Sequence, residues 1–178
     1  HNVGFEVIDR LSLAGRRETM TGTYRGWRDA VGDREILVIE PATFVNRSGL
    51  AVIAAAAEIG AKPEEIFVIT DDYHLPLGAL RIRRSGSSGG HNGLQSIIEC
   101  LGSADSRRLR VGIGPLPSWA EQDRALIPDF VLGRFEPDER EVIDSVLDRA
   151  AEAVGDVINN RLEMAISRYN TTNPASDE

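Results

Sequence analysis

Residues 79–114 read ALRIRRSGSSGGHNGLQSIIECLGSADSRRLRVGIG. Leu80 and Ile82 alternate with Arg81 and Arg83, the period of two that marks a half-buried strand, and Arg107 to Gly114 alternates again. Between these runs the Gly/Ser stretch at 85–90 is a loop, and Leu94, Ile97, Ile98 and Leu101 then fall on one helical face. Gly102 is placed to end that helix, Asn92 to cap its start, and Gln95 three residues on completes a capping-box variant. The segment reads strand, loop, helix, strand.

The same grammar extends in both directions. Ile66 to Ile69 is a continuous apolar run expected in a strand covered on both faces, and Pro63-Glu64-Glu65 leads into it. Ser48 is placed to cap a helix running to Gly60, apolar nearly all round and so expected to be well buried. Residues 21–30 and 35–39 read as strands. Val3, Val7, Ile8 and Leu11 predict an opening helix that ends near Gly15. From Pro137 to Asn170 the chain is helical, with a break at Asn159-Asn160. Alternating strands and helices predict an α/β fold, a three-layer α/β/α sandwich around a mixed, mostly parallel sheet. One domain is expected over residues 1–170, with a disordered tail at 171–178.

The composition narrows the class of protein. With 42% hydrophobic and 27% charged residues the chain reads as a soluble globular protein, and no apolar run approaches the ~20 residues that a membrane helix needs. Neither a signal-peptide pattern nor a second cysteine to partner Cys100 is present, which points to the cytoplasm. The net charge of -8 argues against a nucleic-acid partner until its distribution is seen. Residues 136–178 hold eleven acidic and four basic side chains, whereas 81–110 hold six arginines against Glu99 and Asp105. A basic stretch therefore flanks the Gly/Ser loop.

Polar groups collect where strands should end. Asn46 follows the strand closed by Pro41, Asp71-Asp72 follows Ile66 to Thr70, and His91-Asn92 precedes a helix. Gly89, Gly90 and Gly93 allow another chain to approach the backbone and leave helix N-terminal N–H groups facing outward. An Asp next to a histidine would orient its ring and raise its basicity, as proton abstraction from water requires. No His/Cys cluster has metal-ligand spacing, so no metal is expected.

In order along the chain stand HNVGFEVIDRL (1–11), PATFVNRSG (41–49), DDYHLPLG (71–78), GSSGGHNGLQSI (86–97), RRLRVGIG (107–114) and DFVLGRF (129–135). Together they resemble the bacterial-type peptidyl-tRNA hydrolase family over most of the chain. The resemblance implies an esterase that cuts the bond between a peptide's C-terminal carbonyl and the ribose of the terminal adenosine of tRNA. It implies His1 as general base for the attacking water and Asp71 as the carboxylate that holds it. Phe44, Asn46, His91 and Asn92 are implied to bind the substrate. No cofactor is implied, peptidyl-tRNA is the partner, and a monomer is expected. Arg81 to Arg84 and Arg107 to Arg110 are expected to face the acceptor stem. A non-catalytic RNA-binding relative of the same fold, or an inactive fragment, is the alternative.

The departures from the family pattern are specific. A strand and a Gly-Asn-Pro-Gly loop usually precede HNVGF, and the chain starts at His1 instead, so a gap in the sheet is expected. Val45 stands where Met is usual, Gln95 where Lys is common, and His74 where a second Asp is usual.

Overall fold

The computed structural model describes residues 2–12 and 17–170, apart from the side chains of Arg17 and Arg124. Its helices and strands run α1 (Val3–Asp9), β1 (Arg17–Met20), β2 (Tyr24–Val31), β3 (Arg34–Pro41), α2 (Ser48–Ile59), β4 (Phe67–Pro76), β5 (Leu80–Arg83), α3 (Asn92–Leu101), β6 (Arg107–Gly114), α4 (Ser118–Gln122), α5 (Ile127–Leu132), α6 (Pro137–Ile158) and α7 (Leu162–Tyr169). The class is α/β. The strands form two three-stranded sets, β1-β2-β3 and β4-β6-β5. The chain groups into two compact units, one of residues 12–68 and 83–108, the other of 1–11, 69–82 and 109–178.

In the unit of residues 12–68 and 83–108, β1, β2 and β3 pair antiparallel. Val31 opposes Arg34, so Gly32-Asp33 is a two-residue hairpin turn, and Gly32 supplies the positive φ of 62° that such turns demand. Tyr24 from β2 packs with Ala51 and Ala55 of α2, and Leu37 and Ile39 of β3 close over them. Tyr24 also donates its hydroxyl to Glu58, which Arg28 clamps from the sheet. Burial and then the Glu58 carboxylate push the Tyr24 hydroxyl up to about 12.

The α2 helix buries one face rather than its whole circumference. Ala51 and Val52 are buried, whereas Leu50 and Ile53 are 39% and 43% exposed. The sheet takes Ala51 and Ala55 and α3 packs at Gly49, and the side of the helix that carries Leu50 and Ile53 is left without cover. It stops where expected, at Gly60 with φ 68°. Ser48 does not cap it. That hydroxyl instead donates to the Val45 carbonyl at 2.8 Å and ties the helix to the turn before it.

In the other unit α1 lies on α6. Val3, Val7 and Ile8 are buried with Ile143, Val146, Leu147 and Ala150. Arg10 reaches Asp144 and Asp148 at 2.7 and 3.1 Å, and Arg140 reaches back to Glu6 at 2.6 Å. The α1 helix ends at Asp9, well before Gly15. There the N–H groups of Arg10 and Leu11 turn to the carbonyls three residues back, tightening the last turn, while the Arg10 side chain is drawn to α6. At the edge of β4-β6-β5, Asn170 stands in for a missing strand neighbour. Its side-chain amide accepts from the Ile82 N–H at 2.5 Å and donates to the Ile82 carbonyl at 3.0 Å. The expected break between α6 and α7 is present, with Asn160 at φ 67°. The 171–178 tail lies outside the described residues.

Candidate active site

The expected substrate-binding residues lie in two loops of the unit built on β1-β2-β3. A short 3-10 turn, Val45–Arg47, carries Asn46 exposed, with Phe44 before it 81% exposed. The second loop ends at His91 and Asn92, on the first turn of α3. Two glycines bring these loops together. A side chain at Gly93 would fall 3.0 Å from the Val45 side chain, so the first turn of α3 rests on the Asn46 turn. A side chain at Gly49 would fall 2.2 Å from the Ser96 carbonyl oxygen, and the Gly49 N–H donates to the buried Ser96 hydroxyl at 3.1 Å. The helices following the two loops therefore touch backbone to backbone.

The cap of α3 differs from the sequence expectation by one residue. His91, not Asn92, takes the capping position, and its Nδ1 accepts the Leu94 N–H at 3.1 Å. An Nδ1 lone pair used in this way leaves the proton of the neutral ring on Nε2, as a donor. Asn92 is relieved of the cap and its amide is exposed. Gln95 does not complete a capping box either. Its side chain donates along the helix to Glu99 at 2.8 Å, a pairing across one turn that competes with the backward reach.

Beside Phe44 lies an open cleft of about 500 Å³, walled by Thr23, Thr43, Arg47 and Leu50. An exposed aromatic, an apolar wall and one guanidinium suit a ligand that is part apolar and part polar. Among the described residues no group of three or more His, Cys, Asp or Glu side chains is placed to hold a metal ion. No helix there is long and apolar enough to cross a membrane.

Asp71 belongs to the other unit. It is half-buried and stands inside β4, which runs on to Pro76 instead of ending at Thr70. The extension has a physical cause in its neighbour. Asp72 is buried, accepts the His74 N–H at 2.9 Å, and lies 3.0 Å from Arg110 Nε, an ion pair not aligned as a hydrogen bond. This neutralised carboxylate lets an Asp-Asp pair continue a buried strand. Neighbouring strand residues point to opposite faces, so burial of Asp72 turns Asp71 the other way. Gly4 on α1 lies so close to β4 that a side chain there would meet the Ile69 carbonyl oxygen at 3.1 Å. His1 lies outside the described residues.

Residues 1–177 match the family model described as Peptidyl-tRNA hydrolase. The chain belongs to the peptidyl-tRNA hydrolase family. It is 40% identical to a peptidyl-tRNA hydrolase of Chlorobium phaeobacteroides strain BS1, a match covering 97% of this chain and 90% of that one. It is 41% identical to one of Caldanaerobacter subterraneus subsp. tengcongensis, covering 96% and 90%. The crystal structure of peptidyl-tRNA hydrolase from Acinetobacter baumannii superposes with a TM-score of 0.86 at 26% identity, over 98% of this chain and 88% of that one.

For a family that acts on peptidyl-tRNA, the arginines matter as much as the loops. Two of those expected to face RNA are otherwise engaged. Arg108 is 2% exposed and donates to backbone carbonyls, and Arg110 is held by Asp72. Arg83 and Arg84 are exposed and Arg107 is half-buried. The alternation in RRLRVGIG hid this, because β6 is buried on both faces along most of its length.

Proposed function

We propose that the chain hydrolyses peptidyl-tRNA at the ester joining the peptide to the terminal ribose, releasing peptide and free tRNA. The observation that carries this reading is the interlock of the Asn46 and Asn92 loops through Gly93 on Val45 and Gly49 on Ser96. It sets two exposed amides and the His91 ring at the start of two helices packed on one another. Ester hydrolysis needs such fixed donors where negative charge develops on the acyl oxygen.

In the proposed mechanism His1 takes a proton from water, and the resulting hydroxide adds to the ester carbonyl. Asn46 and Asn92 donate to the carbonyl oxygens of the peptide end, with Phe44 and His91 beside them. Collapse of the tetrahedral intermediate breaks the carbon–oxygen bond to ribose, and the proton on His1 passes to the departing oxygen. Asp71 holds the protonated imidazole. Its turning away from Asp72, and the close approach of α1 to β4 at Gly4, support this role. Arg83, Arg84 and Arg107 supply phosphate contacts. No metal or cofactor enters these steps, and the protein works as a monomer in the cytoplasm.

The test compares wild type with His1→Ala and Asp71→Asn on an N-acetylaminoacyl-tRNA, using protein expressed from its complete coding sequence. Both variants are expected to lower kcat at least 100-fold while tRNA affinity changes less than threefold. Unchanged kcat in either variant would remove its assigned role. Tight tRNA binding without cleavage by wild type would favour the non-catalytic RNA-binding reading.

A further inference from the structure

Arg108 is among the largest fully buried side chains, and what it binds is loop backbone. Its Nη1 donates to the Ser87 carbonyl at 3.0 Å, and its Nη2 donates to the carbonyls of Ala104 and Ser106 at 3.0 and 2.9 Å. The Gly86 N–H adds a bond to the Ala104 carbonyl at 3.1 Å. The planar guanidinium thus fastens the Ser85–Gly90 loop to the turn that enters β6.

That loop needs an anchor. Gly86, Gly89 and Gly90 have φ values of 138°, 60° and 87°, and glycine-rich backbone gives up more freedom on ordering than any other. Next to the anchored Ser87, the Ser88 carbonyl accepts the His91 N–H at 3.1 Å, and the Ser88 hydroxyl lies 3.4 Å from the Gly90 N–H. His91 then caps α3 and sets the start of the helix that carries Asn92. Two hydrogen bonds, joined by the peptide link between Ser87 and Ser88, run from the Arg108 guanidinium to the His91 backbone N–H.

We propose that Arg108 is a positioning residue for the hydrolytic reaction, holding His91 and Asn92 in register with Asn46 by fixing the Ser87 carbonyl. This inference rests on the proposed hydrolysis for its effect on rate, but its structural half stands apart. The fork matters because its two terminal nitrogens serve three carbonyls at once, whereas an ammonium is a compact point charge without that fixed geometry.

The test uses Arg108→Lys, which keeps the charge and loses the fork, and Arg108→Gln, which keeps a planar two-donor end and loses the charge and the full fork. For each, kcat and KM are measured on an N-acetylaminoacyl-tRNA, and amide hydrogen exchange is measured at Leu94 and across β2 and β3. Arg108→Lys is expected to lower kcat about tenfold with KM within twofold, and to speed Leu94 exchange at least tenfold while β2 and β3 keep their protection. Arg108→Gln is expected to move both readings the same way, at least fivefold. A folded Arg108→Lys with wild-type kcat and unchanged Leu94 exchange overturns the proposal. Should Arg108→Lys not fold, unchanged kcat and exchange in Arg108→Gln overturn it. Absence of hydrolysis by wild type would refute the function and leave the exchange data to decide the anchor.

Discussion

Substituting Gly49 by Ala puts a methyl group where the backbone of α3 already stands. The added carbon would lie 2.2 Å from the Ser96 carbonyl oxygen, 2.7 Å from its carbon and 2.7 Å from Cys100 Sγ. Ordinary contact begins near 3.4 Å, so α3 must retreat by about 1 Å. Overpacking of this kind costs about 1–3 kcal/mol. The retreat also breaks the buried Gly49 N–H to Ser96 hydroxyl bond, worth about 1 kcal/mol net. Gly49→Ala is therefore expected to destabilise the fold by about 2–4 kcal/mol in urea unfolding. It is also expected to lower kcat in whatever fraction remains folded, because Asn46 and Asn92 no longer keep their separation. A loss below about 0.5 kcal/mol, the scatter of unremarkable surface changes, would show that α2 and α3 do not meet at this glycine.

Gly155 gives the opposite expectation: it lies within α6 with nothing within 4 Å of an added carbon, so Gly155→Ala should raise stability by about 0.5–1 kcal/mol in the same assay. Tyr24 carries an alkaline signature. Its hydroxyl, raised from 10.0 to about 12 by burial and by Glu58, favours the folded state fully below pH 10 and loses that contribution as pH climbs through 12. Absorbance at the tyrosinate band should show Tyr24 ionising about two pH units after an unperturbed tyrosine, and Tyr24→Phe should abolish that late step.

Much of the fold was legible because local signals and burial agreed. Alternation in Leu80 to Arg83, the apolar face of α3, Gly60, Gly102 and the break at Asn160 all carry their own stereochemical reasons. The errors share a cause, which is a polar residue satisfied by something distant in sequence. Asp71-Asp72 looked like a strand end, yet β4 continues because Arg110 neutralises Asp72 thirty-eight residues later. Arg108 looked available to RNA, whereas it serves carbonyls of two loops. Ser48 and Asn92 looked like caps, but Val45 claimed the first and His91 displaced the second. The β1 strand escaped notice because RETM at 17–20 has no apolar alternation of its own and is held by pairing with β2.

The candidate site was legible in a different way. Asn46, His91 and Asn92 stood out from their motifs, but the sequence gives no reason why two loops more than forty residues apart should share a wall. The small residues beside them do. Gly49, Gly93 and Ser96 are the points of contact, and each lies within three residues of the polar group it positions or on the next turn of its helix. A glycine close to the candidate side chain in both of two motifs is the signal that the two motifs pack on one another.

Whether the Asn46 and Asn92 loops form the substrate-binding wall of this peptidyl-tRNA hydrolase is decided by single-turnover cleavage of an N-acetylaminoacyl-tRNA. Wild type, Asn46→Ala, Asn92→Ala and the double variant are compared at saturating enzyme. Removing a donor to the developing oxyanion costs about 10²–10³ in rate. A loss of at least 100-fold is expected in one single variant, with unfolding free energies unchanged because both side chains are exposed. Wild-type cleavage rates in the double variant would contradict that assignment.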